Sequence, residues 1–80
     1  MKVIIKQRHC KNRNGIDAVN VYKPAKQIQT ADVLRDLWEK ECNAWINPPT
    51  YTVCKDDYAK VEDDDCEVAF MVINLPEIEL

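Results

Sequence analysis

Only one stretch of this 80-residue chain carries a helical rhythm. From about Ala31 to Ile46, Leu34, Leu37, Trp38, Cys42 and Trp45 recur at three- and four-residue intervals, the spacing that gathers apolar side chains along one side of a helix. Thr30 is a good N-cap, and Asp32 sits near the positive end of the helix dipole. Asn47-Pro48-Pro49 stops the element, because Pro48 cannot continue it and restrains the residue before it. On the other face Arg35 with Glu39 and Asp36 with Lys40 stand four apart, pairs worth only about 0.2–0.5 kcal/mol each. Trp38 and Trp45 are expected in the core; either one left exposed would be a natural anchor for a partner.

The rest of the chain alternates or runs apolar, as strands do. Val3 to Cys10 and Ile16 to Tyr22 read as a β-hairpin around Asn12-Arg13-Asn14-Gly15, with Asn opening a type I turn and Gly15 in the positive-φ position of a G1 bulge. That loop pairs residue 12 with 16, so Lys11 faces Asp17, His9 faces Val19 and Gln7 faces Val21. Val3, Ile5, Val19 and Val21 then share a face, which is expected to be the core face. Pro24 ends the second strand. Thr50 to Lys55 reads as a third strand, Asp56-Asp57 as a turn, Tyr58 to Glu62 as a short strand and Asp63-Asp64-Asp65 as a second turn. Cys66 to Asn74, rich in β-branched residues, suits a central strand covered on one face by the helix. Pro76 ends it, and Glu77-Ile78-Glu79-Leu80 alternates acid and apolar. The expected fold is α+β: an antiparallel β-sheet of four or five strands with one helix packed across one face, ββαββ or ββαβββ, in a single domain spanning residues 1–80.

Four cysteines, Cys10, Cys42, Cys54 and Cys66, lie far apart with no C-x-x-C pair. A structural zinc site usually builds each half from a close pair on one turn, so a zinc- or thiol-dependent protein is the function class this spacing supports least, and no metal or cofactor is expected. Small buried thiols are the plain reading, with a Cys54–Cys66 pair on adjacent strands as the alternative. The first residues, Met1-Lys2-Val3-Ile4-Ile5-Lys6, hold no apolar signal-peptide core and no run approaches a membrane span, so the expected location is the cytosol.

Charge is sorted along the chain: residues 1–26 carry a net +6, residues 27–54 a net −2 and residues 55–80 a net −7, within a total of −3. Two charged tips stand out, a basic one at Arg8 to Arg13 and an acidic one at Asp63 to Asp65. Asp56, Asp57, Glu62, Asp63, Asp64, Asp65 and Glu67 form the leading candidate binding surface, since closely spaced carboxylates imitate the phosphate line of a nucleic acid and fit a basic groove on a protein partner. The plain alternative is a set of solvated turn acids. Calcium binding through the same run lacks the alternating ligands and the turning glycine that a calcium loop uses. Lys6, Arg8, Lys11 and Arg13 are the alternative, nucleic-acid-binding site, weakened by the acidic total and by Tyr22 being the only aromatic nearby. His9-Cys10 is the only local pair that suggests nucleophilic catalysis, and neighbours on a strand point to opposite faces, so no catalytic residue is assigned.

No stretch carries a family signature. In format alone, a short acidic α+β domain without a catalytic set, the chain is similar to the small inhibitors that phages and other mobile elements use against host complexes. The function expected is therefore a non-enzymatic protein-binding module, an inhibitor or regulator of a host protein complex using residues 56–67 against a basic groove, as monomer or homodimer and without a membrane.

Overall fold

A computed structural model describes residues 1–12, 15 and 17–76. Five strands and one helix follow in the order β1 (Lys2–Cys10), β2 (Ala18–Tyr22), α1 (Thr30–Ala44), β3 (Tyr51–Cys54), β4 (Tyr58–Glu62) and β5 (Cys66–Asn74). The strands form one antiparallel sheet in the order β2-β1-β5-β4-β3, so the apolar run 66–74 is the middle strand. This is the expected ββαβββ arrangement. Among the described residues no helix is long and apolar enough to cross a membrane.

The helix begins at Thr30, one residue earlier than expected, and Gln29 rather than Thr30 is its N-cap, with an extended backbone and no side-chain cap bond. The Gln29 carbonyl accepts from Asp32 N and Val33 N, which makes Thr30 the first helical residue. The helix ends at Ala44, because Trp45 is already extended at φ −75° and ψ 132°. That turn brings the Trp45 indole against the core, with Nε1 donating to Glu41 Oε1 at 3.0 Å. Trp38 also packs on the core and donates to the Lys60 carbonyl at 3.3 Å. Of the two i, i+4 pairs, Asp36–Lys40 forms at 3.1 Å, with both side chains largely exposed, where it contributes little.

Leu34 is the helix's buried residue, and it closes a core with Ile4 of β1, Ala59 of β4 and Val68 and Phe70 of β5. Tyr22, Cys54 and Val72 border the same cluster. These residues share one face of the sheet through the pairs Ile4–Tyr22, Ile4–Val72, Ala59–Phe70, Val61–Val68 and Cys54–Ala59.

The first hairpin differs from expectation in two ways. Its observed pairs are Gln7–Val19, Ile5–Val21 and Arg8–Ala18, a register two residues away from the expected one. Past Arg8, β1 continues along β5 through His9–Glu67 and Cys10–Cys66, while side chains replace the β1–β2 ladder. Cys10 N donates to Asp17 Oδ2 at 2.7 Å, and His9 Nδ1 donates to the Gly15 carbonyl. Gly15 has φ +93°, the positive value expected of it, whereas the expected turn residues Arg13 and Asn14 lie outside the described residues.

A shift of two preserves parity, so Val3, Ile5, Val19 and Val21 do share a face. It is not the helix-covered face: Val19 is 54% exposed and Val21 55%. The hairpin alone does not decide which face takes the helix, because β1 has apolar residues on both sides, Ile4 and Cys10 on one and Val3 and Ile5 on the other, and β5 is apolar on both. β4 decides it, since Tyr58, Lys60 and Glu62 alternate with Ala59 and Val61, and only the second pair can enter a core without burying charge.

Candidate functional site

The acidic stretch 56–67 is not one surface. Asp56 and Asp57 occupy the β3–β4 turn, beside Lys2, Lys26 and the start of α1. Glu62 to Glu67 occupy the β4–β5 turn and its flanks, at the opposite end of the five-residue β4. The basic hairpin tip lies at that second end, because β1 runs antiparallel to β5 and finishes where β5 starts: Lys11 N donates to the Asp65 carbonyl at 2.8 Å. The two oppositely charged tips are therefore neighbours.

Much of their charge is spent on each other. Lys11 Nζ lies 2.8 Å from Glu62 Oε2, and Lys60 Nζ lies 3.8 Å from Glu62 and 3.1 Å from Glu67. The Lys11 hydrogen bond holds the Glu62 carboxyl below its usual range, Glu62 in return raises Lys11, and Glu67 raises Lys60. Asp63 serves the turn, its Oδ1 accepting from Asp65 N and Cys66 N at 2.8 Å each. Among the described residues the carboxylates of Asp56, Asp57, Asp64 and Asp65 make no ion pair, and all four residues are exposed.

The alternative basic site is likewise divided. Lys6 lies on the helix side, 3.1 Å from Glu41 and 5.8 Å above the Phe70 ring. Arg8 is exposed at the rim of a cleft, Lys11 is paired with Glu62, and Arg13 lies outside the described residues.

The Asp63 turn has a readable pH signature. Backbone N–H groups of Cys66 and Asp65 hold the Asp63 carboxyl below its usual value. A carboxylate depressed by folding stabilises the fold above its unfolded pKa, and that contribution disappears as pH falls through the folded value. Asp63→Ala should therefore be less stable than the parent in urea at neutral pH, with the gap shrinking as both are titrated toward about pH 2. A gap that stays constant would separate the turn from its charge.

The face turned away from the helix is unusually apolar. Across it run Val19 and Val21 of β2, Val3 and Ile5 of β1, Met71 and Ile73 of β5, Tyr58 of β4, and Tyr51 and Val53 of β3, all on one side by register. Val3 is buried, the central residues are half-buried, and at the edges Val19, Val21 and Tyr51 are more than half exposed. Its charged residues, Lys60, Glu62 and Glu67, are those already engaged in ion pairs.

On the helix side, a cleft of about 340 Å³ opens between the end of α1 and the β1–β5 pair, lined among others by Arg8, Glu41, Trp45, Asp63 and Cys66. Cys66 pairs with Cys10 in register, and the two Sγ atoms are 3.2 Å apart. The ladder bond falls on the next pair, Lys11 to Asp65, so the cysteines occupy a non-hydrogen-bonded position, where side chains of antiparallel strands approach most closely. The expected alternative, Cys54 with Cys66, is ruled out by topology, since β4 lies between their strands. His9 and Cys10 point to opposite faces, toward Glu67 and Cys66 respectively. Among the described residues no three His, Cys, Asp or Glu side chains are grouped to hold a metal ion.

The cysteine pair was the feature missed in the sequence. Two nine-residue strands, one ending in Cys10 and the other beginning at Cys66, juxtapose those cysteines once they pair antiparallel over their whole length. Compared with protein-family models, curated proteins and solved structures, the chain matches none.

Proposed function

We propose that this chain is a non-enzymatic protein-binding module that docks, through the sheet face turned away from the helix, onto an apolar patch of a partner protein rimmed by lysine or arginine. The observation that carries this reading is the exposure of Val19, Val21 and Tyr51 on a face that also holds Ile5, Met71 and Ile73. A sheet face left to water normally alternates to polar residues, and contiguous apolar surface of this kind marks interaction sites. The rim follows from charge: Asp56 and Asp57 at one end and Asp64 and Asp65 at the other are exposed and unpaired among the described residues, in a chain of net charge −3. Rim acids steer a basic partner and fix its orientation, while the apolar centre supplies most of the affinity.

This reading keeps four of the seven acids expected to bind and assigns Glu62, Asp63 and Glu67 to holding the fold together. Occluding a site on a larger complex, as a small inhibitor or regulator does, requires no catalytic group. The test compares the immobilised chain with its Val19→Lys/Val21→Lys variant in extract of the source cells or their host, alongside sedimentation of both proteins. A protein retained by the parent and lost by the variant supports the reading. Equal retention by both overturns it, and so does a parent dimer that the same pair of substitutions dissociates, since that assigns the face to a second copy.

A further inference from the structure

We infer that Cys10 and Cys66 form a peroxide-oxidisable dithiol, a modification site at which a small hydroperoxide entering the helix-side cleft converts the two thiols into a disulfide between β1 and β5. Four observations meet here. The sulfurs are 3.2 Å apart across a non-hydrogen-bonded antiparallel pair, so closing to the roughly 2 Å of a disulfide needs only small side-chain movement. Cys66 lines a cleft of about 340 Å³, large enough for a small oxidant to reach it. The Arg8 guanidinium, which makes no ion pair among the described residues, lines the same cleft as Cys66. The two other charged side chains of the cleft are engaged elsewhere, Glu41 with Lys6 and Trp45, and Asp63 with two backbone amides.

The two sulfurs take different parts. Cys66, the sulfur that opens on the cleft, attacks one peroxide oxygen; an S–O bond forms, the O–O bond breaks, and the departing hydroxide takes up the proton given up by the Cys66 thiol to become water. Arg8 supplies positive charge where the anionic sulfur and the departing oxygen need it. The product is a Cys66 sulfenic acid. The Cys10 thiol, pushed up to about 11 by its hydrogen bonds to Cys66 and Asp17, keeps its proton at neutral pH. Its sulfur then attacks the Cys66 sulfur, forming the S–S bond, breaking S–O and releasing a second water. Two thiols and one hydrogen peroxide give one disulfide and two waters, with the peroxide reduced and the sulfurs oxidised.

Cys42 and Cys54 take no part. Cys42 lies on α1, where burial pushes its thiol up, and Cys54 borders the core cluster from β3.

The test uses the full chain, fully reduced and then exposed to one equivalent of hydrogen peroxide at neutral pH. Thiol titration, peptide mass spectrometry without reductant and thermal melting read the product. Expected are the loss of two thiols per chain, a Cys10–Cys66 cross-link within one chain, and a melting temperature higher by roughly 10 °C because the link closes a long loop. A thiol reductant should reverse all three. Cys10→Ser should stop at a sulfenic acid on Cys66, trapped by a dimedone probe, and Arg8→Ala should slow the loss of thiols several-fold without changing the product. The Cys42→Ser/Cys54→Ser variant should behave as the parent. Oxidation that falls first on Cys42 or Cys54, disulfides between chains, or no cross-link at all would each overturn the inference.

Discussion

Replacing Phe70 with alanine should cost about 3–5 kcal/mol of folding free energy, read as a lowered urea midpoint with an unchanged slope. Phe70 is 1% exposed in the middle of the central strand, opposite Lys6 on one side and Ala59 on the other, within the cluster that Leu34 closes from the helix. Alanine leaves a void that neither neighbour fills: Ala59 is already small, and the Lys6 ammonium is held by Glu41. The ring also sits beneath the Lys6 charge, a contact worth about 0.5–1 kcal/mol where partly exposed. A domain of this size typically has only about 5–15 kcal/mol in total, so Phe70→Ala removes a large share of it. Phe70→Leu, which keeps most of the volume, should cost less than about 1.5 kcal/mol. Equal losses for the two would mean that the core does not converge on this ring.

The second large effect is on binding. Val19→Lys/Val21→Lys should leave the urea midpoint nearly where it was, within about 1 kcal/mol, since both residues are more than half exposed on the outermost strand β2. Affinity for a partner should fall by about 100-fold, roughly 2.7 kcal/mol, because two side chains that would be desolvated in an apolar interface become charged. Asp64→Lys/Asp65→Lys should act differently, slowing association several-fold in a salt-dependent way while changing dissociation little. A reversed order, with the acids mattering most, would shift the binding surface to the turn.

Local pattern made much of this fold readable. Helix period and proline stops located α1 to within two residues, and β4 and β5 begin and end where alternation and turn acids put them. The misses share a cause: they depend on which strands are neighbours. The turn residues of the first hairpin set its parity but not its register, because the Asp17 carboxylate and the long pairing of β1 with β5 compete with a tight loop. They carry no choice of face, which the charges of the distant strand β4 settle. The expected acidic surface joined two turns that lie at opposite ends of β4, and the expected basic tip comes to rest against one of them. Proximity in sequence favours Cys54 as the neighbour of Cys66, whereas the ladder brings Cys10 to it.

The most direct measurement is a methyl and amide NMR map of the chain titrated with a partner that the parent retains and the Val19→Lys/Val21→Lys variant does not. The largest shifts should fall on Val19, Val21, Ile5, Met71 and Ile73, with smaller ones at the rim acids, while Ile4, Leu34, Val61 and Val68 between helix and sheet stay in place. Shifts centred instead on the Arg8 cleft or the exposed side of α1, with the Val19–Val21 face unmoved, would contradict it.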